Sequence, residues 1–359
     1  MAYTTIDDPS AHFQVTIYTG NGGSQDITNS GNSDLQPDML WIKQRSSDGS
    51  VSSHVIKDST RGVTKEIYPN AANAEGTSSL IDELLTDGFS INNTANEHYN
   101  YDGGLYVSYQ WKANGGTTVS VSASGSGASQ VLASTHQANT TSGFSIVRFT
   151  GVEANATVTH GLGAVPEMIL FKNIISSNNW IVYHKGMGND DGAYLNLTNA
   201  EVDNVAFFND TTPTTSVFSV GTNDKTNDDG SNSMIAYCFT SIQGYSKFGS
   251  YTGNGNADGP FVYTGFKPRW IVWKMISSSG DWDLYDTARD TYNLSIKEIP
   301  ANETNDESSA DVLAVDILSN GFKLRTSNAN GNADAGTYIY AAFAEQPFVT
   351  SGGVPCTAR

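Results

Sequence analysis

Pro37-Asp38-Met39-Leu40-Trp41-Ile42-Lys43, Pro166-Glu167-Met168-Ile169-Leu170-Phe171-Lys172 and Pro268-Arg269-Trp270-Ile271-Val272-Trp273-Lys274 are one pattern written three times. Each opens on a proline, runs through four apolar residues and closes on a lysine six positions later. Proline has no amide hydrogen to give a sheet, so it suits the start of a strand, and the aromatic and branched residues behind it favour strand backbone. The pattern therefore reads as a strand, and its recurrence reads as a triplicated module.

Other landmarks keep the same order around it. A strand ending in Thr-Gly precedes each copy: Thr19-Gly20, Thr150-Gly151 and Thr252-Gly253. After each copy come Val55-Ile56-Lys57-Asp58, Trp180-Ile181-Val182-Tyr183-His184 and Trp282-Asp283-Leu284-Tyr285-Asp286. An Asn/Glu element follows, at Asn73-Ala74-Glu75, Asn199-Ala200-Glu201 and Asn302-Glu303. Then come a Phe strand (Phe89, Phe218, Phe322) and an aromatic-rich run: Tyr106 to Trp111, Met234 to Phe239 and Tyr338 to Phe343. The proline anchors lie 166 − 37 = 129 and 268 − 166 = 102 residues apart. The extra length in the first interval falls in 113–141, rich in Gly, Ser, Thr and Ala and without an aromatic residue, which reads as a linker or loose arm.

The expected fold is all-β: three tandem β-sandwich or jelly-roll-like modules of roughly 100 residues, arranged in a row. The boundaries read as module 1 over 1–112, the linker over 113–141, module 2 over 142–247, module 3 over 248–348 and a tail over 349–359. Ser78 to Thr86 is the one helix-like piece, with Leu80, Ile81, Leu84 and Leu85 on one side, and Ser309 to Leu318 is its counterpart.

Composition excludes several function classes. With 37 acidic and 19 basic residues the net charge is −18, and no basic cluster is present to meet nucleic-acid phosphates. No apolar run approaches the ~18 residues of a membrane span, and the first residues lack the basic and apolar parts of a signal peptide. The two cysteines, Cys238 in a strand-like run and Cys356 in the tail, read as free thiols.

Chemistry-bearing motifs are sparse. His12, His54, His98, His136, His160 and His184 have no nucleophile elbow beside them and read as surface and turn histidines, so no catalytic residue is assigned and no enzyme is expected. Acidic residues are too abundant for a glycosidase pair to be picked out by sequence. Calcium is the one conceivable cofactor, with Asp224, Asp228 and Asp229 as its candidate ligands. Their loop, however, holds Lys225 and lacks a closing Glu, and it suits a solvated turn better. Trp41, Trp180, Trp270, Trp273 and Trp282 recur at strand positions and read as packing rather than as a sugar-stacking platform. Tyr99, Asn100, Tyr101 and Tyr292, in polar loops, are the candidate exposed binding residues, and the loops 93–103, 223–232 and 328–336 are where adhesion is expected.

The five landmarks, the opening Met1-Ala2-Tyr3-Thr4-Thr5-Ile6-Asp7-Asp8-Pro9-Ser10, the stretch Gly244 to Gly255 and the end Gly353 to Arg359 resemble a family of repeat-containing virion proteins of tailed phages of marine bacteria. The resemblance spans nearly the whole chain. It implies a structural protein on the particle exterior, made in the host cytoplasm and released by lysis without a signal peptide. A tail-fibre or host-recognition adhesin is expected, with a capsid decoration protein as the alternative and a glycan-degrading tailspike as a remote one. The implied partners are other virion proteins, a host-surface glycan or receptor and further copies of the chain, with no nucleic acid and no membrane insertion.

Overall fold

The computed structural model describes residues 2–46, 52–92, 96, 98–309 and 311–357. It is almost entirely antiparallel β, as the repeats predict. Each module has a main sheet with one strand order: opening strand, closing strand, lysine strand, flanking strand. In the first module these are Phe13–Thr19, Leu105–Trp111, Met39–Ser46 and Val55–Asp58. In the second they are Phe144–Gly151, Gly230–Phe239, Met168–Asn173 and Ile181–His184. In the third they are Ser246–Thr252, Thr337–Pro347, Phe266–Met275 and Trp282–Asp286. A small second sheet packs on one face and includes the Phe strand, Gly88–Ile91, Val217–Val220 or Gly321–Leu324.

Side chains alternate across a strand, so each main sheet has two faces. Leu40 and Ile42, Ile169 and Phe171, and Ile271 and Trp273 face their own small sheets and form three separate cores. The alternating residues Met39 and Trp41, Met168 and Leu170, and Trp270 and Val272 join one core shared by all three modules. The closing strands behave alike, sending Val107, Tyr109 and Trp111, Ile235, Tyr237 and Phe239, and Ile339, Ala341 and Phe343 to the shared core. At its centre Trp111, Phe239 and Phe343 meet pairwise, with ring centroids 6.3, 5.6 and 5.9 Å apart. The remaining central space is an apolar cavity of about 20 Å³.

The modules thus form a closed ring rather than a row. Independent sandwiches strung in a line need polar outer faces, whereas these strands are apolar on both, the pattern of sheets covered twice. The five position-matched tryptophans are all buried, as expected of packing.

Three local expectations are corrected. Ile81–Leu85 is a strand paired with Gly88–Ile91, not a helix; five residues make little helix in isolation, while the neighbouring strand offers a ladder with a single bulge. Its counterpart is the strand Val315–Leu318, preceded by a short 3-10 turn at Asp311–Leu313. The 113–141 segment is not loose: Ser134–Asn139 and Val119–Val121 extend the second module's main sheet. Its start is tied to the first module, where buried Asp38 accepts the amides of Ala113, Gly115 and Gly116 at 2.7 to 2.9 Å. The strand Ser246–Thr252 also straddles the expected 247/248 boundary.

Candidate functional site

The repeated polar residues converge on the joints between modules. Lys172 of the second module donates to Ala72 O of the first at 3.0 Å, and Lys274 of the third donates to Thr198 O of the second at 3.1 Å. Lys43 of the first donates to Thr304 O of the third at 3.0 Å, which closes the cycle. All three lysines are fully buried, and each also binds a carbonyl of its own module. Two residues beyond each lysine, the backbone carbonyls of Ile174, Ile276 and Arg45 accept the amides of Glu75, Glu201 and Glu307.

The receiving loop is the six-residue unit Asn-x-x-Asn-x-Glu: Asn70 to Glu75, Asn196 to Glu201 and Asn302 to Glu307. Asn302-Glu303 is therefore not the third copy of the Asn/Glu element; Asn305-Asp306-Glu307 is. The first Asn of each unit accepts the backbone amide of His54, Trp180 or Trp282. Those three rings in turn reach across the joints. Trp180 Nε1 donates to Tyr68 O at 2.9 Å and Trp282 Nε1 to Tyr194 O at 2.8 Å. His54 Nδ1 accepts from Trp41 Nε1, leaving Nε2 to donate to Pro300 O at 3.0 Å. Burial holds His54 well below its ordinary pKa and His184 down at about 3, so both are neutral structural donors. His54, His136, His160 and His184 are buried, which corrects the surface-histidine expectation for these four.

Two joints carry a buried ion pair and the third a neutral substitute. Arg61 Nε meets Asp58 Oδ2 at 2.5 Å, Asp58 accepts from Tyr237 Oη of the next module at 2.6 Å, and Arg61 also reaches Glu75 at 3.1 Å. Arg289, Asp286 and Glu307 repeat this with Tyr109 of the first module, 3.2 Å from Asp286. At the remaining joint His184 and Met187 stand in for the Asp and Arg, Ala341 replaces the Tyr, and His184 Nε2 contacts Tyr340 O at 3.2 Å.

Burial pushes the pKa of Lys43 and Lys274 down to about 8 and that of Lys172 to about 7. A lysine with a depressed folded pKa binds fewer protons folded than unfolded between the two values, so stability rises with pH across that window. Denaturant melts of the chain are expected to show increasing stability from pH 7 to about 9.5, with a smaller rise in Lys172→Met. Above about pH 10 the buried tyrosines, whose pKa values burial raises, reverse the trend.

The candidate binding residues prove mostly internal. Tyr99 is buried with its hydroxyl on Glu66 at 2.5 Å. Asn100 is fully buried; its Oδ1 takes the Asn21 amide at 3.0 Å and its Nδ2 reaches Gly23 O. Tyr101 is half-buried against the first module's core, and its amide donates to Tyr106 Oη. Their expected exposure is thereby corrected. Tyr292, 81% exposed, is the one that faces solvent. Residues 93–95 and 97 of the expected loop 93–103 lie outside the described residues.

Asn227 and Asn332 are the counterparts of Asn100. Asn227 Oδ1 takes the Val152 amide and its Nδ2 donates to Ala154 O and Gly221 O. Asn332 does the same with Asn254, Asn256 and Thr326. Each thus ties the Thr-Gly loop down, and the glycine is required there: a Cβ on Gly20, Gly151 or Gly253 would sit 2.1 Å from a backbone carbonyl oxygen. The loops 223–232 and 328–336 are therefore framework at their centres. Asn332→Ala is expected to cost roughly 2–4 kcal/mol by stranding several buried partners, read as a lowered denaturant midpoint at unchanged m value.

The acidic trio does not assemble. Asp228 accepts from Asn173 at 2.6 Å and Ser176 at 3.3 Å, Asp224 pairs with Lys225 at 3.2 Å, and Asp229 is exposed. Among the described residues no group of three or more His, Cys, Asp or Glu side chains is placed to hold a metal ion. Cys238 is buried and Cys356 half-buried, both as free thiols. Among the described residues no helix is long and apolar enough to cross a membrane.

A family profile described as "Domain of unknown function (DUF7483)" matches residues 8–347. No curated protein and no solved structure matches the chain.

Proposed function

We propose that this chain, which belongs to the DUF7483 family, is a non-enzymatic structural protein on the exterior of a tailed-phage particle, acting in host recognition at a tail appendage. The observation that carries this reading is the use made of the repeated polar residues. Lysine, asparagine, histidine and the Asp–Arg pairs recur because they build the joints of a rigid ring, and rigidity with solvent-facing loops is what a contact module needs. A single chain with three sister modules in a closed cycle also suits seating on a threefold-symmetric partner made of copies of one protein. The acidic surface would keep such a particle component soluble and unattached to nucleic acid released at lysis.

Capsid decoration is the second reading, and the compact shared core favours it, since the three modules pack around it as one body. Immunogold electron microscopy of intact virions with antibody against the chain separates the two. Gold on tail appendages supports the recognition role, gold over the head supports decoration, and unlabelled intact particles overturn the exterior-virion assignment.

A further inference from the structure

The three modules serve as controls for one another, and one departure from their common plan stands out. In the small sheets Val262, Ile27 and Val158 are equivalent, each opposite the Phe of the Phe strand. The residues flanking them are Asp26 and Thr28 in the first module and Thr157 and Thr159 in the second. In the third they are Phe261 and Tyr263, which are 45% and 47% exposed. The aromatic rings thus occupy outward positions where the same fold is content with polar residues, with the Tyr263 hydroxyl 3.3 Å from that of Tyr3 and the Phe261 ring over Gly321.

The floor in front of these rings is also built differently from its counterparts. In the first module the long run from Ile27 to Pro37 lies over the opening strand, with Gln14 bonded to Gly31 N and Ser33 O. In the second, Ser134–Asn139 pairs with the opening strand. In the third the run from Val262 to Pro268 is short, and Ser246–Thr252 is left as a sheet edge. The result is a groove of about 350 Å³ whose lining includes Phe261, Tyr263, Ser250, Lys247 and Lys185.

Charge completes the site. Lys247 lies over the Tyr263 ring at 5.1 Å and donates to Tyr263 O at 3.1 Å. Lys185, partly exposed, pairs with Glu167 at 2.9 Å. Two ammonium groups against one carboxylate leave a local positive charge on a chain whose net charge is −18. Burial first and then the neighbouring Lys185 lower the Lys247 pKa, against the opposing pull of Glu167.

We propose that this groove binds an acidic saccharide, with the apolar face of a uronate ring against Phe261 and Tyr263, its carboxylate on Lys247 and its hydroxyls near Ser250. The flat apolar faces and the ammonium at their edge match a ligand that is apolar on one side and anionic at its rim. The inference deepens the host-recognition reading and rests on it for its biological setting.

The test is calorimetric titration of the full chain with tetragalacturonate, with maltotetraose as the neutral control, at low and raised salt. Saturable binding of tetragalacturonate is expected, weakened by salt and stronger than any binding of maltotetraose. Phe261→Thr and Tyr263→Thr, which copy the second module, and Lys247→Gln should each weaken it about tenfold with unchanged melting temperature. No saturable binding, equal binding of maltotetraose, or full affinity in all three variants overturns the proposal. Its failure is separable from that of the virion assignment: gold on the particle with no binding sinks the groove alone, and binding without gold on the particle sinks the assignment alone.

Discussion

Trp111→Ala is expected to lower the stability of the whole chain by about 3–5 kcal/mol, in one unfolding transition rather than in one module. Trp111 belongs to the first module, yet its ring packs on Phe13, Phe239, Trp270 and Phe343, so the hole it leaves is lined by all three. The space is already nearly filled, which leaves little room to collapse. Trp111→Phe is the control, because phenylalanine occupies the matching positions 239 and 343. The indole nitrogen of Trp111 is buried without a hydrogen-bond acceptor among the described residues, so its removal relieves a cost that offsets part of the lost contact. The alanine variant should lose far more of the denaturant midpoint than the phenylalanine variant. Comparable losses in the two would mean that the centre is not packed as described.

The second large effect lies at the joint between the third and first modules. Arg289→Met is expected to cost about 3–5 kcal/mol, because it leaves the Asp286 carboxylate buried without its cation. The wild-type pair is held tightly: the Arg289 guanidinium, Tyr109 and Arg269 surround Asp286, and their charge and hydrogen bonds keep its carboxyl below the usual range despite burial. The second module shows how the same joint works without ions, with His184, Met187 and Ala341 in the corresponding places. Adding Asp286→His to Arg289→Met should therefore recover a good part of the loss, and the double variant should be more stable than the single one. Such a recovery is a coupling of the kind a double-mutant cycle measures. If the double variant is the less stable, the joints are not interchangeable and the correspondence between modules fails there.

The tandem repeat and the all-β class were legible because prolines, apolar runs and glycine-containing turns carry their own backbone preferences. Met39-Leu40-Trp41-Ile42 also held the sign of a ring, since a strand apolar on both faces must be covered twice. Which module covers which was not legible, because that depends on pairings between residues far apart in the chain, such as Lys43 with Thr304, 261 positions away. The same distance explains the misplaced Asn302-Glu303: local likeness chose the nearest Asn/Glu pair, whereas the lysine contact fixes the third copy at Asn305 to Glu307. Tyr99 and Asn100 were misjudged for a related reason. A polar loop usually faces water, but Glu66 and the Thr-Gly loop supply these two with buried partners that no local reading finds. The groove at Phe261 and Tyr263 carried a signal in the sequence, since its sister positions are polar, but only the strand register aligns them.

The measurement that bears most directly on the closed ring is differential scanning calorimetry of the intact chain. A ring with a shared core and three reciprocal joints predicts one endotherm whose calorimetric and van't Hoff enthalpies agree, shifted as a whole by Trp111→Ala. Separate endotherms for the modules, with Trp111→Ala moving only the first, would contradict it.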